Sequence, residues 1–269
     1  MTDKARSLFQ VLWLGLLSSF EDYRRLFTWK SWLLGWLLRL VAQVLFFAML
    51  GRLTGTVADE RYAAVGNALV LAPLGCLGVV ASTSLERRLG TLQLLLLSPT
   101  DPLVVLLSRG LYWVFDGLLT SLVTLGVVSA LLGLGVQHGA LPLIFCGQVV
   151  LTLSTYAMAM AVSGLSIRWP EARTFLTSTL TIVLLAGTGV NTAAPAGNPV
   201  WSVPLHLIPV RNGLPAVRAA VAGTPSTVPF LTHLGLECLI GLGWLAMAHF
   251  AVVGSVRHQV RTGRLTTAT

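Results

Sequence analysis

Charged residues are scarce in this sequence. Asp, Glu, Lys and Arg make up only 10% of its 269 residues, whereas a soluble domain carries about 25%. Hydrophobic residues make up 55%, and the mean hydropathy is +0.79. This composition excludes an ordinary water-soluble domain and predicts a chain embedded in lipid.

Two enzyme motifs are also missing. The sequence has no G-x-x-x-x-G-K-[ST] phosphate loop, which excludes ATP hydrolysis by that route, and no H-E-x-x-H zinc motif. Cys76, Cys146 and Cys238 lie within apolar runs without metal-ligand spacing, which favours small buried side chains over disulfides or zinc ligands. We therefore predict no cofactor and no metal site.

The formal net charge of +8 could indicate a nucleic-acid partner. However, the basic residues are spread over the ends of apolar runs, which is typical of membrane orientation rather than of a nucleic-acid surface. The sequence therefore predicts a lipid bilayer, and no nucleic acid, as its partner.

Six apolar stretches approach or exceed the length of about 20 residues that crosses a bilayer as a helix. They cover residues 31–51, 62–84, 110–134, 142–166, 174–190 and 232–254. The fifth is the shortest and runs into a region rich in proline and glycine. The sequence thus predicts an all-α integral membrane protein whose six-span domain covers residues 31–269.

The distribution of Lys and Arg predicts the orientation. Thirteen of these 18 residues lie on the side of the amino terminus and four on the other side, while Arg39 lies within the first predicted span. Basic residues concentrate on the cytoplasmic side of membrane proteins. Both termini are therefore predicted to be cytoplasmic, in a multi-pass protein of the cell membrane.

The amino-terminal region, residues 1–30, has its own pattern. Five apolar residues share one helix face: Leu8, Val11, Leu12, Leu16 and Phe20. This spacing predicts an interfacial amphipathic helix that leads into the first span. Lys4 and Arg6 before an apolar run would also suit a signal peptide, but no small-residue cleavage site follows.

The stretch "LERRLGTLQLLLLSPT" separates the second and third spans. Leu85, Leu89, Leu92 and Leu96 form one apolar stripe at helical spacing, and Pro99 ends the helix. The pattern predicts a short helix, residues 85–98, at the cytoplasmic interface. Two interpretations remain open, namely a helix that seals the bundle and a helix that receives force from a soluble motor.

A resemblance rests on Glu86, Gly90, Thr91, Leu92, Gln93, Leu95, Ser98 and Pro99. This run resembles the coupling helix of permease subunits of the type-2 ABC exporter class, which has an acidic residue, Gly-Thr-Leu-Glu, leucines and Ser/Thr-Pro. Gln93 replaces the second acidic residue of that pattern. The residues that the resemblance assigns to ATPase coupling are Glu86, Arg87, Gly90, Thr91, Leu92, Gln93, Leu96, Ser98 and Pro99.

A second match is "PVRNGLPAVR" at Pro209–Arg218. It resembles the "Pro-Leu-Thr…Ala-Leu-Arg" stretch between the fifth and sixth spans of that class, although Pro215 stands where Glu is common. The surrounding segment, 191–231, has seven prolines, and irregular backbone at membrane depth needs protein or water around it. We expect an outer re-entrant helical hairpin whose gate includes Trp201, Pro209 and Arg218; an ordinary surface loop is the alternative.

Polar residues inside the spans are costly unless they are paired or face water. Arg39, Asp116 and Glu237 are the intramembrane charges, and we expect Asp116 to pair with Arg39 or with a basic residue of the inner surface. The resemblance implies that spans two and five line the pathway at a dimer interface. The predicted lining residues are Asn67, Thr177, Thr181 and Asn191; interhelical hydrogen bonding is the alternative role.

The resemblance implies a permease subunit of an ATP-driven exporter, without enzymatic activity or a cofactor of its own. Its expected partners are separate ATP-binding cassette ATPase subunits and a second permease chain, in a homodimer or a homologous heterodimer. The expected substrate is amphipathic or hydrophobic, such as a drug, a secondary metabolite or a lipid, with a lipid-linked glycan or a peptide as alternatives.

Two rival functions remain, a membrane scaffold or assembly factor that transports nothing and an intramembrane serine protease. The protease hypothesis rests on "GLSI" at 164–167, which contains Ser166, and on His249. The fourth residue of the motif differs from that family, and Ser166 lies beside Arg168, which disfavours it.

Overall fold

The computed structural model describes residues 3–26, 28–92, 101–191 and 204–262, and this part of the chain is helical without any strand. The helices are α1 (Asp3–Leu26), α2 (Trp29–Thr54), α3 (Val57–Arg88), α4 (Pro102–Leu132), α5 (Leu141–Arg168), α6 (Arg173–Gly187), α7 (Leu214–Val221) and α8 (Thr227–Thr262). Short 3-10 turns precede α5 (His138–Ala140) and α6 (Pro170–Ala172).

Five helices in the described residues are long and apolar enough to cross a membrane, namely α2, α3, α4, α5 with its preceding turn, and α8. The predicted all-helical fold is confirmed for the described residues, and five of the six predicted spans coincide with helices of membrane length. In the fifth predicted span, α6 has only 15 residues, or about 22 Å of helix at 1.5 Å per residue, and a bilayer core measures about 30 Å. That the fifth predicted span crosses the membrane, which would give six crossings in all, therefore stays a prediction.

Local sequence explains where several helices begin and end. The side chain of Thr56 accepts a hydrogen bond from Asp59 N at 3.4 Å, and Asp59 Oδ2 accepts from Thr56 N at 2.7 Å, which closes a capping box at the start of α3. Asp101 caps α4, where Pro102 occupies the first turn. Gly133 ends α4 in the left-handed conformation, with a φ of 61°.

The interior is formed by α3 and α5. Helix α3 is the most buried of the membrane-length helices and packs against α2, α4 and α5, while α8 packs along α5. The outward faces of α2 and α8 carry exposed apolar side chains such as Leu53 and Phe250. This arrangement suits a bundle whose surroundings are lipid, because no water is there to penalise exposed apolar surface.

Pro73 lies inside α3 and removes the backbone hydrogen bond to the carbonyl of Leu69. Gln148 of α5 replaces it, since its Nε2 donates to Leu69 O at 2.6 Å and to Ser121 Oγ at 3.0 Å. Ser121 of α4 donates in turn to the carbonyl of Ala68 at 2.7 Å. Neighbouring helices thus satisfy the backbone that the proline leaves open.

Helix α3 is interrupted once, at Leu77, between its segments Val57–Cys76 and Gly78–Arg88. Leu77 N donates to Leu74 O at 3.1 Å, and Val80 N donates to Leu77 O at 3.1 Å, so the local spacing is three residues rather than four. Such a tightened turn inside a helix is a common place for a bend or hinge.

Helices α3 and α4 cross at glycines. A Cβ atom at Gly117 would lie 2.7 Å from the carbonyl oxygen of Ala72, and one at Gly75 would lie 3.2 Å from the Cα of Gly117. Small residues allow this approach, which is the usual way in which membrane helices pack closely.

We expect Gly117→Ala to lower the free energy of unfolding by about 1–3 kcal/mol, because the added methyl group would force the backbones apart. Gly126→Ala on the same helix is the control, since no atom lies within 4 Å of its added Cβ. Thermal unfolding of both variants in detergent measures the difference. Equal stability would contradict the close crossing.

The predicted amino-terminal helix is present as α1, and it runs parallel to α4. Ser18 faces Arg109, with Ser18 Oγ and Arg109 Nη1 2.5 Å apart, and Tyr23 Oη lies 2.5 Å from Asp116 Oδ1. Of the predicted apolar face, Leu12 and Phe20 are exposed, whereas Val11 and Leu16 are partly buried. Small residues take part in the contact with α4: Ser19 is buried, and Gly15 lies directly against Ser108.

Candidate functional site

The two motifs lie at opposite ends of the bundle. We call the end that contains Glu86, Arg109 and Arg168 the Glu86 end, and the end that contains Gly189, Arg211 and Arg218 the Arg218 end. A cavity lies between them. The prediction that the Glu86 end is cytoplasmic stays a prediction, because the structure contains no membrane.

At the Glu86 end, an ion pair joins α3 to α4. Glu86 Oε1 lies 2.7 Å from Arg109 Nε, and the two side chains are only 12% and 19% exposed. Arg109 also donates to Ser18 Oγ of α1 at 2.5 Å. The hydroxyl of Thr91 donates to the Glu86 carbonyl at 3.1 Å. Glu86 thus connects three helices with the start of the predicted coupling segment.

Arg87 fixes the carboxyl-terminal end of α5. Its guanidinium donates to the carbonyl of Ile167 and, at 2.9 Å, to that of Arg168. Ser84 Oγ donates to the Pro170 carbonyl at 3.0 Å. The last carbonyls of a helix lack partners within the helix, so these contacts join the end of α3 to the end of α5.

The prediction of one continuous coupling helix from Leu85 is wrong. Helix α3 extends to Arg88, and Gly90 then adopts a φ of 73°, which is a left-handed helix end. Leu85 and Leu89 are 46% and 67% exposed, while Leu92 is fully buried, so the predicted stripe does not share one face. Four predicted coupling residues lie outside the described residues: Gln93, Leu96, Ser98 and Pro99.

At the Arg218 end, the arginine of the second motif joins α7 to α6 and α3. The Arg218 guanidinium donates to the carbonyls of Gly189 at 3.1 Å, Val190 at 2.6 Å and Tyr62 at 3.3 Å, and it lies 3.6 Å from the centroid of the Tyr62 ring. Burial lowers the pKa of this guanidinium, while the neighbouring Tyr62 opposes the shift. A Cβ at Gly66 would clash with Arg218 at 2.0 Å.

Arg211 makes a related contact, since its Nη1 donates to the Gly187 carbonyl at 2.6 Å. Both arginines of the motif therefore contact the carboxyl-terminal end of α6, where positive charge is favoured by the helix dipole. Pro209 is buried beside this contact. Trp201, the third predicted gate residue, lies outside the described residues.

Glu237 of α8 holds the turn that precedes α7. Its carboxylate accepts hydrogen bonds from Ser154 Oγ, from Val210 N at 2.6 Å and from Gly213 N at 3.1 Å, and the residue is fully buried. Val210 has a φ of 77°, the positive value that non-glycine residues rarely adopt. Glu237, for which the sequence indicated no partner, thus accepts hydrogen bonds from the backbone N–H groups of a strained turn.

A cavity of about 360 Å³, which we call the central cavity, lies between α2, α3, α4 and α6 at a level between the two ends. Its polar lining residues are Arg39, Gln43, Asp116, Thr120, Thr177 and Thr181. The predicted residues Thr177 and Thr181 therefore share one cavity with two of the intramembrane charges. The bend of α3 forms part of the wall, through Leu77 and Gly78.

The hydroxyl groups in this wall differ. Thr177 and Thr181 donate to carbonyls one turn earlier in α6, at 2.7 and 2.9 Å, so they present only acceptor lone pairs to the cavity. The Thr120 hydroxyl is buried and has no hydrogen-bond partner among the described residues. It is the donor that a bound polar molecule would find.

Asn67 and Asn191 do not reach this cavity. Asn67 Nδ2 donates to Asn191 Oδ1 at 2.6 Å and to the Ala63 carbonyl at 2.9 Å, and Asn67 is buried. This pair links α3 to the segment after α6, which is the interhelical hydrogen bond that the sequence offered as the alternative.

The expected ion pair between Asp116 and Arg39 does not form. Asp116 Oδ1 accepts hydrogen bonds from Tyr23 Oη at 2.5 Å and from Trp32 Nε1 at 2.8 Å. Arg39 instead lies over the Trp36 ring, 5.2 Å from its centroid. Burial, reinforced by the hydrogen bond to Asp116, raises the pKa of Tyr23, so the phenol stays protonated and donates.

Ser166 does not have a protease-like arrangement. Its hydroxyl is buried and donates to the carbonyl of Ser163 at 2.8 Å. His249 lies beside Asp101 instead, with its Nδ1 3.6 Å from the Asp101 carboxylate. These contacts give Ser166 no base, and a nucleophilic serine needs one within hydrogen-bond reach.

Sequence reasoning missed Arg109, Gln148 and Trp32 as site residues. Arg109 entered only the count of basic residues, although it follows the acidic motif and begins a span. Gln148 is an amide within an apolar run, and such polar residues in spans are conspicuous. Trp32 gave no signal, because tryptophan near a membrane interface is ordinary.

No protein-family model, no curated protein and no solved structure matches this chain.

Proposed function

We propose that the chain is the permease subunit of an ATP-driven exporter of the type-2 ABC class. The observation that carries this proposal is the segment Gly78–Arg88 of α3. Its first residue lines the central cavity, and its last three residues form the contacts of Glu86, Arg87 and Arg88 at the Glu86 end. One helical segment therefore connects the motif that resembles a coupling helix with the central cavity.

The proposed mechanism uses the bend at Leu77 as a hinge. ATP binding would close the ATPase dimer and push the residues after Arg88. The segment Gly78–Arg88 would then turn about Leu77 and carry the ends of α4 and α5 with it, through Arg109 and the carbonyls of Ile167 and Arg168. This movement would open the cavity outwards, which is a rigid-element form of alternating access.

The contacts at the Arg218 end support the gating part of the proposal. Arg211 and Arg218 join α7 to the end of α6, and α6 contributes Thr177 and Thr181 to the cavity. A change at the cavity would therefore reach the outer motif through one short helix. We propose that α7 and the preceding turn close the exit. The cavity lining, apolar with a few polar groups, favours an amphipathic substrate.

The motor interface is tested by copurification of the tagged chain from its native membranes in mild detergent. We expect a stoichiometric ATPase with a phosphate loop to be identified by mass spectrometry. We expect Leu89→Asp to abolish the copurification of this ATPase, because Leu89 is 67% exposed and immediately precedes Gly90 of the motif that resembles a coupling helix. Leu92 is unsuitable for this test, because it is fully buried and an Asp there would damage the fold.

Val260→Asp is the matched control, since Val260 is 62% exposed and lies beside Gln259, whose amide points to the Ile167 carbonyl at the same end. Loss of the ATPase in both variants would indicate a general effect of the new charge. Recovery of the wild-type chain alone under several mild conditions would contradict the exporter and favour a scaffold.

A further inference from the structure

A second cavity, of about 280 Å³, lies between α1, the start of α2 and α4. Six aromatic residues line it: Phe20, Tyr23, Trp29, Trp32, Tyr112 and Phe115. Asp116 lines it as well, and the same residue also lines the central cavity. The carboxylate therefore stands between two cavities at the level where α1 meets α2.

The carboxylate is held by two hydrogen bonds and carries no ion pair within the described part of the chain. Tyr23 and Trp32 both donate to Oδ1, whereas Oδ2 accepts no hydrogen bond within the described part of the chain. No described Lys, Arg or His side chain forms a salt bridge with Asp116. A negative charge in an apolar region is costly without a positive partner, so a bound cation would stabilise the carboxylate.

The aromatic rings determine which cation fits. The negative faces of Trp and Tyr rings attract cations, above all ammonium groups that carry alkyl substituents and are weakly hydrated. The rings are held in place, since Tyr23 and Tyr112 have centroids 5.4 Å apart and the Trp32 indole is fixed by Asp116. A metal ion would need several oxygen ligands, and this cavity offers one carboxylate among rings.

We infer that this cavity binds an alkylated ammonium group, with Asp116 as its counter-ion and the surrounding rings as its cage. Arg24 lies at the exposed rim of the same cavity. A ligand that carries a phosphate beside its ammonium group would find a partner for each charge. The ligand is therefore either a zwitterionic lipid headgroup or a free organic cation, and both present the same ammonium chemistry.

The further conclusion that the ammonium ligand is also the exported substrate rests on the proposed function. Binding itself does not, because it is measured on the purified chain without an ATPase. If the chain binds ammonium compounds but no ATPase copurifies with it, only the exporter proposal is overturned. If the ATPase copurifies but the chain binds no ammonium compound, only the ammonium site is overturned.

The test is equilibrium binding of radiolabelled benzyltrimethylammonium to the full chain in dodecyl maltoside. We expect saturable binding at one site, and we expect the neutral isostere neopentylbenzene to compete at least about tenfold more weakly. Asp116→Asn should weaken binding by about tenfold or more, since the amide oxygen keeps the acceptor for Tyr23 and Trp32 but removes the charge. Equal binding to wild type and Asp116→Asn, or equal competition by the isostere, would overturn the assignment.

Two further variants keep the test decisive. Glu21→Gln removes the same charge from an exposed position of α1 that does not line the cavity, and binding should change less than about twofold. Phe115 lines the cavity, is 58% exposed and takes no part in the Asp116 hydrogen bonds, so Phe115→Leu should fold even if Asp116→Asn does not. Its binding should weaken about threefold to tenfold, with rescue in Phe115→Tyr; unchanged binding in Phe115→Leu would overturn the cage.

The source of the ligand is identified in nanodiscs of phosphatidylcholine and of digalactosyl diacylglycerol. Weaker apparent binding of the probe in phosphatidylcholine, relieved by Arg24→Gln, would show that a lipid headgroup occupies the site. Equal binding in both lipids would show that the site takes free organic cations. Either result supports the ammonium assignment, and absence of saturable binding in both lipids would overturn it.

Discussion

Replacing Glu86 by Gln is expected to lower the free energy of unfolding by about 3 kcal/mol, because it removes the negative charge of a largely buried ion pair with Arg109. The two side chains are 12% and 19% exposed, and the N–O distance is 2.7 Å. The loss would loosen α1 as well, since Arg109 also contacts Ser18. Thermal or denaturant unfolding of the purified chain in detergent measures the change.

The control for this prediction is the exposed ion pair at the same end. Arg88 and Glu171 lie 2.7 Å apart, but their side chains are 39% and 83% exposed. Such pairs contribute only about 0–1 kcal/mol, so Glu171→Gln should be nearly neutral. If both variants lost the same stability, burial of Glu86 would not be the cause. If the exporter proposal holds, Glu86→Gln should also uncouple ATP hydrolysis from transport.

Glu237→Leu is expected to lower the free energy of unfolding by about 2–4 kcal/mol, because it leaves the N–H groups of Val210 and Gly213 buried without an acceptor. The turn would lose the contacts that hold Val210 at its positive φ. We expect faster amide hydrogen exchange in residues 209–221 than in α5. Hydrogen exchange read by mass spectrometry measures this directly.

A graded series distinguishes this explanation from a general loss of packing. Ser154→Ala removes one of the three hydrogen bonds to Glu237 and should cost about 1 kcal/mol. Glu237→Gln keeps one acceptor oxygen and should fall between the other two variants. If the amide hydrogens of residues 209–221 exchanged as slowly in Glu237→Leu as in wild type, the Glu237 carboxylate would not be the group that holds the turn.

The sequence predicted the spans because their signal is local. A run of apolar residues of membrane length is visible in one window, and the five long helices follow it. The ends of α4 also have local causes, since Asp101 with Pro102 begins it and Gly133 ends it, although the predicted span began only at residue 110. The predicted fifth span was the shortest run, and its helix is the one that falls short of membrane length.

The coupling segment shows where local pattern misled. Leu85, Leu89 and Leu92 match an unbroken helical stripe, but Gly90 ends the helix between them. A glycine inside a helical pattern is compatible with continuation and with termination. Packing decided the outcome, because Arg87 and Ser84 are held by backbone carbonyls at the end of α5.

Intramembrane charges were recognised from the sequence, but their partners were not. Asp116 was expected beside Arg39 because opposite charges attract, yet it accepts from two aromatic donors on α1 and α2. The close contact of Gly15 with Ser108 holds α1 against α4 and brings Tyr23 to Asp116.

By itself, the sequence determined that this chain is helical, that lipid is the surroundings its composition suits and where its five long helices lie along the chain. These properties depend on composition, run length and the chemistry of caps, which are readable within a few residues. Only the tertiary structure decided what Gln148, Arg87, Arg218 and Glu237 bind, because their partners are mainly backbone N–H and C=O groups. Every residue except proline carries both groups, so their positions, and not their identities, select the contacts.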